Sequence, residues 1–553
     1  MAVFSYRTEE IRPEAIKDLF VETKADRRTI EEIRSQSPTI IEGSRGTGKS
    51  FLLKIAEKEM NERYDVDRIL PVYLSFKESS LVQSQEKNRF LYWMMAKLCA
   101  QTTRAMRAKG LLEPSLASLT LMRGRRKVQA ADLSEIAEKF EESWRNPSGH
   151  IDTSSIPDID DYVQAVEEIC EFGGVERICL LFDEAAHVFR LEQQHAFFSL
   201  FRDLRSPRIT CNAAVYPGIT SYGPSFEMAH DATLIRLERN ILDPEYVNSM
   251  REMVIKQAER KAKNSSGDDK DKAEKLLRQS ERPAGNFEKN FPLLAYSAHG
   301  NPRHLLKTVN SLNDLKQTDV ENVIKEYYRQ DIWKEHSALG EKFTSYKSVV
   351  DWGRDFVEIN VVPMLNERNQ NPELRGTVET TSFFWVSRDV PEEINKSLSL
   401  LSYVGLVQEL DKAVRATRSQ LGTRYTVHLG TLLAQAANPL KELERIMPKL
   451  SKKRMIEFGP KHSVFEKVAF KKVVSEDMLS ATVVRQQLNR SVDVLDLSDW
   501  QKKTLKGNGY GIVENILQAG EEALRSNIRG IGEVRSRQIV NAAKSAILEY
   551  LLG

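Results

Sequence analysis

The sequence predicts an α/β domain, a mostly parallel sheet with helices on both faces, continued by all-helical and mixed segments in the same chain. Three observations carry that expectation. Short apolar runs recur at 38–41, 69–74, 178–182, 209–215 and 232–237, separated by stretches of helical spacing. This is the pattern of strands buried on both faces. The first run passes through a Gly-rich turn straight into a helix beginning Phe51-Leu-Leu-Lys-Ile-Ala. After Asn240 the strand signal stops and the pattern becomes purely helical to about residue 313.

Taken in order, residues 11–35 place apolar side chains at helical spacing among charges and lead into the first strand. Between the second and third strands lies a long interval, about 77–161, read as an insertion in the core. It contains a long helix over 87–109 and a basic knot, Arg123-Gly-Arg-Arg-Lys127. The knot reads as a solvated loop, with a DNA or partner contact as the alternative. The core therefore spans 1–239, and a helical lid 240–340. Within the lid the polar stretch 264–272 is expected to be a mobile loop. A mixed region follows at 341–440, then a basic linker at 441–479 and a compact helical unit at 480–553.

At 553 residues the chain exceeds one hydrophobic core, and about 150 residues per domain implies three or four. A hydrophobic content of 41% with 29% charged residues is that of a globular protein. The net charge of +2 does not announce a nucleic-acid binder, so any basic surface has to arise by local segregation. Four cysteines without CxxC spacing argue against a zinc site or a disulfide framework and suit a reducing compartment. The first residues lack a basic stretch followed by an apolar one, so no signal peptide is expected. No apolar run reaches the ~20 residues that span a bilayer. The expected location is the cytoplasm, without a membrane partner.

Gly43-Ser44-Arg45-Gly46-Thr47-Gly48-Lys49-Ser50 fits GxxxxGK[ST] between a predicted strand and a predicted helix. Each part has a task. The glycines let successive N–H groups face phosphates, Lys49 reaches the β- and γ-phosphates, and the Ser50 hydroxyl joins Mg²⁺. The helix dipole adds positive potential. ATP with Mg²⁺ is therefore the implied ligand. The run Arg177-Ile-Cys-Leu-Leu-Phe-Asp183-Glu184 ends an apolar strand in two adjacent carboxylates. Asp183 is the candidate for holding Mg²⁺ through water, and Glu184 the candidate for orienting the attacking water. His187, nearby, reads as a packing or surface histidine. In Ala298-His-Gly-Asn-Pro-Arg303, Arg303 opens a helix in the lid, from which it could report on the γ-phosphate.

These three motifs in this order, with a winged-helix-like region after them, resemble the AAA+ ATPases of the origin-recognition-complex-like group. The resemblance covers about 12–310 and, more loosely, 344–437. It implies an AAA+ core with a helical lid, in which 43–50 are Walker A, Asp183 and Glu184 Walker B, and Arg303 the sensor-2 arginine. Sensor 1 falls near 213–220, with Asn212 and Thr220 as candidates. Ring-forming AAA+ proteins usually carry an arginine finger between the fourth and fifth core strands, yet residues 217–233 contain no arginine. Arg202 or Arg205 could substitute. Otherwise the chain resembles a nucleotide-dependent switch more than a processive motor.

In the mixed region, a helix over 390–404 precedes strand-like runs at 405–410 and 424–429, which flank a basic, polar turn. Helix, strand, wing, strand is a winged helix. Its helix could enter a major groove while Arg415 and Arg418 touch phosphates, or the unit could bind protein. At the C-terminus, Arg529-Gly530-Ile531-Gly532-Glu-Val-Arg535-Ser536-Arg537-Gln-Ile539 resembles a helix–hairpin–helix. A weaker copy precedes it at 505–517. The hairpin amides would point at a DNA phosphate, helped by Arg535 and Arg537; the alternative is a turn that merely closes a helical hairpin. The expected function is an ATP-dependent, DNA-binding switch or assembly factor on double-stranded DNA. Replication initiation, mobile-element maintenance and defence against invading DNA are settings consistent with it. A homo-oligomer and a separately encoded effector are the conceivable protein partners. The alternative is a signal-transducing NTPase whose C-terminal modules bind proteins.

Overall fold

The structure, a computed structural model, describes residues 4, 8, 11–76, 88–112, 115–124, 132–143, 151–185, 191–342, 346–371, 378–416, 420–466, 487–495 and 497–552. His187, Arg418 and residues 125–127 of the basic knot lie outside them.

Five strands form the core sheet: β1 (Thr39–Glu42), β2 (Ile69–Ser75), β3 (Arg177–Asp183), β4 (Ile209–Val215) and β5 (Thr233–Arg236). Their order is β2-β3-β4-β1-β5 and every pairing is parallel. Strands β3 and β4 are buried along their whole length, as their unbroken apolar runs require. The helices α1 (Lys24–Arg34) and α2 (Lys49–Glu62) cover one face with Ile30, Ile33, Leu53 and Ile55. The other face carries α3 (Arg89–Ala108), α4 (Leu116–Arg123), α5 (Leu133–Glu141), α6 (Ile159–Gly173) and α7 (Leu191–Asp203). The interval between β2 and β3 therefore forms part of the core. Trp93, Phe140, Tyr162 and Phe182 share one hydrophobic cluster.

The lid comprises α8 (Tyr246–Asn264), α9 (Asp268–Ser280), α10 (Asn286–Ser297), α11 (Pro302–Asn310) and α12 (Gln317–Glu326). The mobile loop expected at 264–272 is corrected to a short turn followed by α9. Asp268, Asp269 and Asp271 sit in the first turn of α9, where they complement the helix dipole, and Ala273 and Leu276 are buried below. Beyond the lid come α13 (Ile332–Lys342), α14 (Lys347–Asp355), α15 (Val362–Gln370) and α16 (Glu392–Val404).

A second sheet has the order β7-β8-β6-β9, built from β6 (Phe383–Ser387), β7 (Val407–Arg415), β8 (Leu421–Val427) and β9 (Ile456–Phe458). The hairpin β7–β8 runs longer than the two short runs expected, because residues 411–415 pair with β8 through two register irregularities. The linker expected at 441–479 is also corrected in its described part. Helix α17 (Leu429–Ala434) leads to α18 (Pro439–Ile446), and β9 then pairs in parallel with β6. Ile446, Ile456 and Phe458 pull this basic stretch into the core. One hydrophobic cluster runs continuously from the lid through α16 and the second sheet.

The C-terminal unit has its own core, formed by α19 (Asp499–Gly507), α20 (Val513–Asn527) and α21 (Glu533–Leu552) around Leu505, Ile516, Ile531 and Ile539. An all-parallel sheet in the order above, with a phosphate-type loop after β1, a carboxylate pair after β3 and a helical lid after β5, is the AAA+ P-loop architecture.

Candidate functional site

The carboxyl ends of β1 and β3 lie on either side of β4; Glu42 is level with Val215 of β4, and Asp183 is level with Ser75 of β2. Ligands of open parallel sheets bind beyond such strand ends. The loop 43–48 leaves β1 there. Gly46 and Gly48 adopt φ of +86° and +101°, which side chains rarely tolerate. Gly48 is also the N-cap of α2 and offers no side-chain cap, so the first amides of α2 are left for a ligand. A Cβ at Gly46 would come within 2.7 Å of Asn301 Oδ1 and the Arg303 Cβ, so the lid rests directly on the loop.

Lys49 is 6% exposed, and its Nζ donates to the carbonyls of Gly43 (2.7 Å) and Ser44 (3.1 Å). The same ammonium lies 3.9 Å from the centre of the Tyr216 ring. Burial pulls its pKa down to about 7, with Asp183 and Glu184 only partly opposing the shift. Across the loop, Asp183 Oδ1 accepts from Ser50 Oγ (3.0 Å) and from the Glu184 amide (3.0 Å), and Oδ2 accepts from the Tyr73 hydroxyl. A serine hydroxyl against a carboxylate is the hard-oxygen donor pair that suits Mg²⁺. Glu184 adopts φ of +57°, a strained value for a non-glycine residue. That kink turns the chain out of β3 directly after Asp183.

In the lid, Asn301 caps α11 by accepting from the amides of Arg303 and His304. Its Nδ2 donates to the Arg45 carbonyl (2.8 Å), which joins the cap to the P-loop. Lys49, Ser50, Asp183, Glu184 and Arg303 thus gather around one loop, with Arg303 within electrostatic reach of Lys49.

Several residues around this loop were not legible in the sequence. Arg239 donates to the carbonyls of Thr47 (2.9 Å) and Gly300 (3.4 Å), with Asp26 3.8 Å away. It bridges loop, lid and α1. Beside it a largely apolar cavity of about 90 Å³ is lined by residues including Leu19, Phe20, Phe51, Met253 and Leu306. Tyr216 occupies the tip of β4. The two sensor-1 candidates lie elsewhere. Asn212 is level with Thr39, three residues back along β1, and donates to Ile33 O. Thr220 donates to Tyr216 O within its own turn. Arg202 donates to Ser225 O and Arg205 to Asp231, so both serve the packing of α7. Only a tertiary contact could reveal α16: the Arg45 amide donates to Tyr403 O (3.1 Å), and the Tyr403 ring meets Tyr216 edge-on.

Arg415 is exposed at the end of β7. In the C-terminal unit Gly530 has φ of +93°, Ile531 is buried, and Gly532 precedes α21. Arg535 donates to Gly530 O (2.7 Å) and stacks over Trp500, whereas Arg537 pairs with Glu533 and Glu521.

Residues 1–90 match the family model described as ORC-CDC6-like. No curated protein matches the chain. Among solved structures, a Walker-type ATPase of Pyrococcus abyssi is similar at 12% identity and a TM-score of 0.36, over 79% of this chain and 98% of that one. The ORC1 protein of Aeropyrum pernix in complex with DNA is similar at 13% identity and a TM-score of 0.33, over 78% and 94% of the two chains. The ORC2 protein of the same organism, in ADPNP–ADP complexes, is similar at 11% identity and 0.32, over 79% and 93%.

Proposed function

We propose that this chain is an ATP-hydrolysing AAA+ switch that acts on double-stranded DNA. The observation that carries the proposal is the gathering of Lys49, Ser50, Asp183, Glu184 and Arg303 around the loop 43–50. The ORC-CDC6-like match over residues 1–90, which includes that loop, supports it.

In the mechanism, the α2 amides and Lys49 bind the phosphates, and the apolar cavity beside Phe51 takes the base. Ser50 and Asp183 would hold Mg²⁺, which supplies neutralisation of charge on the β- and γ-phosphates. Lys49 must leave the Gly43 and Ser44 carbonyls to reach those phosphates. Glu184 orients a water at the γ-phosphorus; the new O–P bond forms as the bond to the ADP oxygen breaks, and ADP keeps the electron pair. The water proton leaves through Glu184 to solvent. Arg303 and Asn301 carry the change in phosphate content into the lid.

ATP turnover measured with and without duplex DNA, with particle mass recorded in ATP and in ADP, tests the reading. It expects binding to random-sequence duplex that weakens steeply with salt. No binding at low salt in either nucleotide state would remove DNA from the proposal.

A specific observation favours the second reading, a signalling NTPase with protein-binding modules. Helix α16, which a winged helix would lay in a groove, has Ile394, Leu398, Leu401 and Tyr403 buried. DNA contact through α16 therefore requires its release, whereas the wing end at Arg415 is already exposed. Alanine at Arg415 and Arg535 that leaves DNA affinity unchanged, together with nucleotide-dependent protein capture by the purified chain, would favour signalling.

A further inference from the structure

The Lys49 ammonium is held by more than its phosphate role requires. It carries three N–H donors. Two contacts go to the Gly43 and Ser44 carbonyls, at 2.7 and 3.1 Å, and a third places Nζ over the Tyr216 ring, 3.9 Å from its centre. Lys49 and Tyr216 are each 6% exposed, so the charge meets the ring out of water, where a cation–π contact is strongest. Strand register brings the ring to the loop. Val215 at the end of β4 is level with Glu42 of β1, and its carbonyl accepts from the Gly43 amide. The ring is also fixed in place. The Tyr216 amide donates to Thr220 Oγ1 (3.2 Å), and that hydroxyl donates to Tyr216 O (2.7 Å). Tyr403 of α16 meets the ring edge-on with centroids 5.1 Å apart, and its carbonyl accepts from the Arg45 amide. Tyr216 is therefore a platform built by β4, its turn and α16, and Lys49 rests on it.

We propose that Tyr216 is a positioning residue whose ring holds the Lys49 ammonium back from the β- and γ-phosphates and so lowers the affinity of this chain for nucleotide. The proposal rests on the nucleotide reading above. An ammonium turned to two carbonyls and a ring has to give up contacts to reach phosphate oxygens. Binding exchanges those contacts for charge-assisted hydrogen bonds, and whatever the ring contributes opposes the exchange. ATP and ADP both present a β-phosphate and meet this opposition; AMP presents none and does not. Because Tyr403 fixes the edge of the ring, α16 takes part in the hold.

The test replaces Tyr216 in the full-length chain by leucine, by phenylalanine and by pentafluorophenylalanine, which keeps the shape of phenylalanine but removes the negative potential of its face. ATP, ADP and AMP affinities are read by calorimetric titration, with magnesium and in EDTA, and ATP turnover in steady state. Tyr216→Leu and Tyr216→pentafluorophenylalanine are expected to bind ATP and ADP about tenfold more tightly, with AMP affinity within about threefold of wild type. The gain appears in KM rather than kcat, as a change in ground-state binding does. Tyr216→Phe gives the face back and returns the wild-type affinities. A ring that only supports the fold predicts the opposite sign, since its loss weakens binding. Equal ATP affinity for the phenylalanine and pentafluorophenylalanine chains, or weaker ATP binding by the latter, overturns the role of Tyr216, whether or not the leucine variant folds. A wild-type chain that binds neither ATP nor ADP overturns the nucleotide reading with it.

Discussion

At the scale of residues, the site is set by a few charges whose environments differ sharply. Glu184 sits on a strained backbone next to Asp183, whose carboxylate is engaged by Ser50 and Tyr73. Glu184→Gln is expected to bind ATP normally and to hydrolyse it about 10²–10⁴-fold more slowly; a normal rate in a steady-state phosphate-release assay removes Glu184 from the mechanism. Lys49→Ala should abolish nucleotide binding, seen as loss of a calorimetric signal. Lys49 also makes binding pH-dependent. With its pKa near 7 in the free site, the amine is mostly neutral at pH 8, and phosphates select the charged form. Nucleotide binding should therefore take up close to one proton at pH 8, and affinity should fall by up to about tenfold per pH unit above 7. Calorimetry in two buffers of different ionisation enthalpy reads this directly, and identical heats would contradict it.

At the scale of elements, Asn301 shows how a helix cap becomes part of a site. It satisfies two amides of α11 and holds the Arg45 carbonyl, so one side chain couples lid order to loop geometry. Asn301→Ala should cost about 1 kcal/mol in stability, as loss of a cap usually does. It should also weaken ATP binding more than ADP binding, because the outer arm of the loop loses its anchor. Thermal melting and competitive nucleotide titration separate the two effects, and equal loss for both nucleotides would confine Asn301 to capping. The strands, the P-loop turn and the start of α11 were legible because apolar runs, glycines and Asn-Pro act locally. The fate of residues 268–272, of 411–415 and of β9 was not, since polar sequence was recruited there by neighbouring elements.

At the scale of the whole molecule, the lid and the second sheet share one core through a buried histidine group. His304 Nδ1 lies 3.1 Å from His428 Nε2, and His299 accepts from the Leu429 amide. Burial lowers His299 to about 4 and His304 and His336 to about 3. These rings are neutral in the fold, whereas the unfolded chain protonates them below about 6.5. The unfolded state therefore binds more protons between pH 6.5 and the folded values, so stability is lost as pH falls through that window. Each histidine contributes a slope of up to about 1.4 kcal/mol per pH unit. Melting curves from pH 7 to 5 should show that loss, and a flat profile would mean these rings are already protonated in the fold. The sequence by itself determined the strand-loop-helix phosphate motif, the paired carboxylates and the arginine at the start of α11, because each depends on spacing within one element. The tertiary structure alone decided that α16 meets the loop through Tyr403 and that Tyr216 and Arg239 flank it. Those contacts join residues hundreds of positions apart through packing, and no local pattern in the chain encodes which distant surface a helix end will meet.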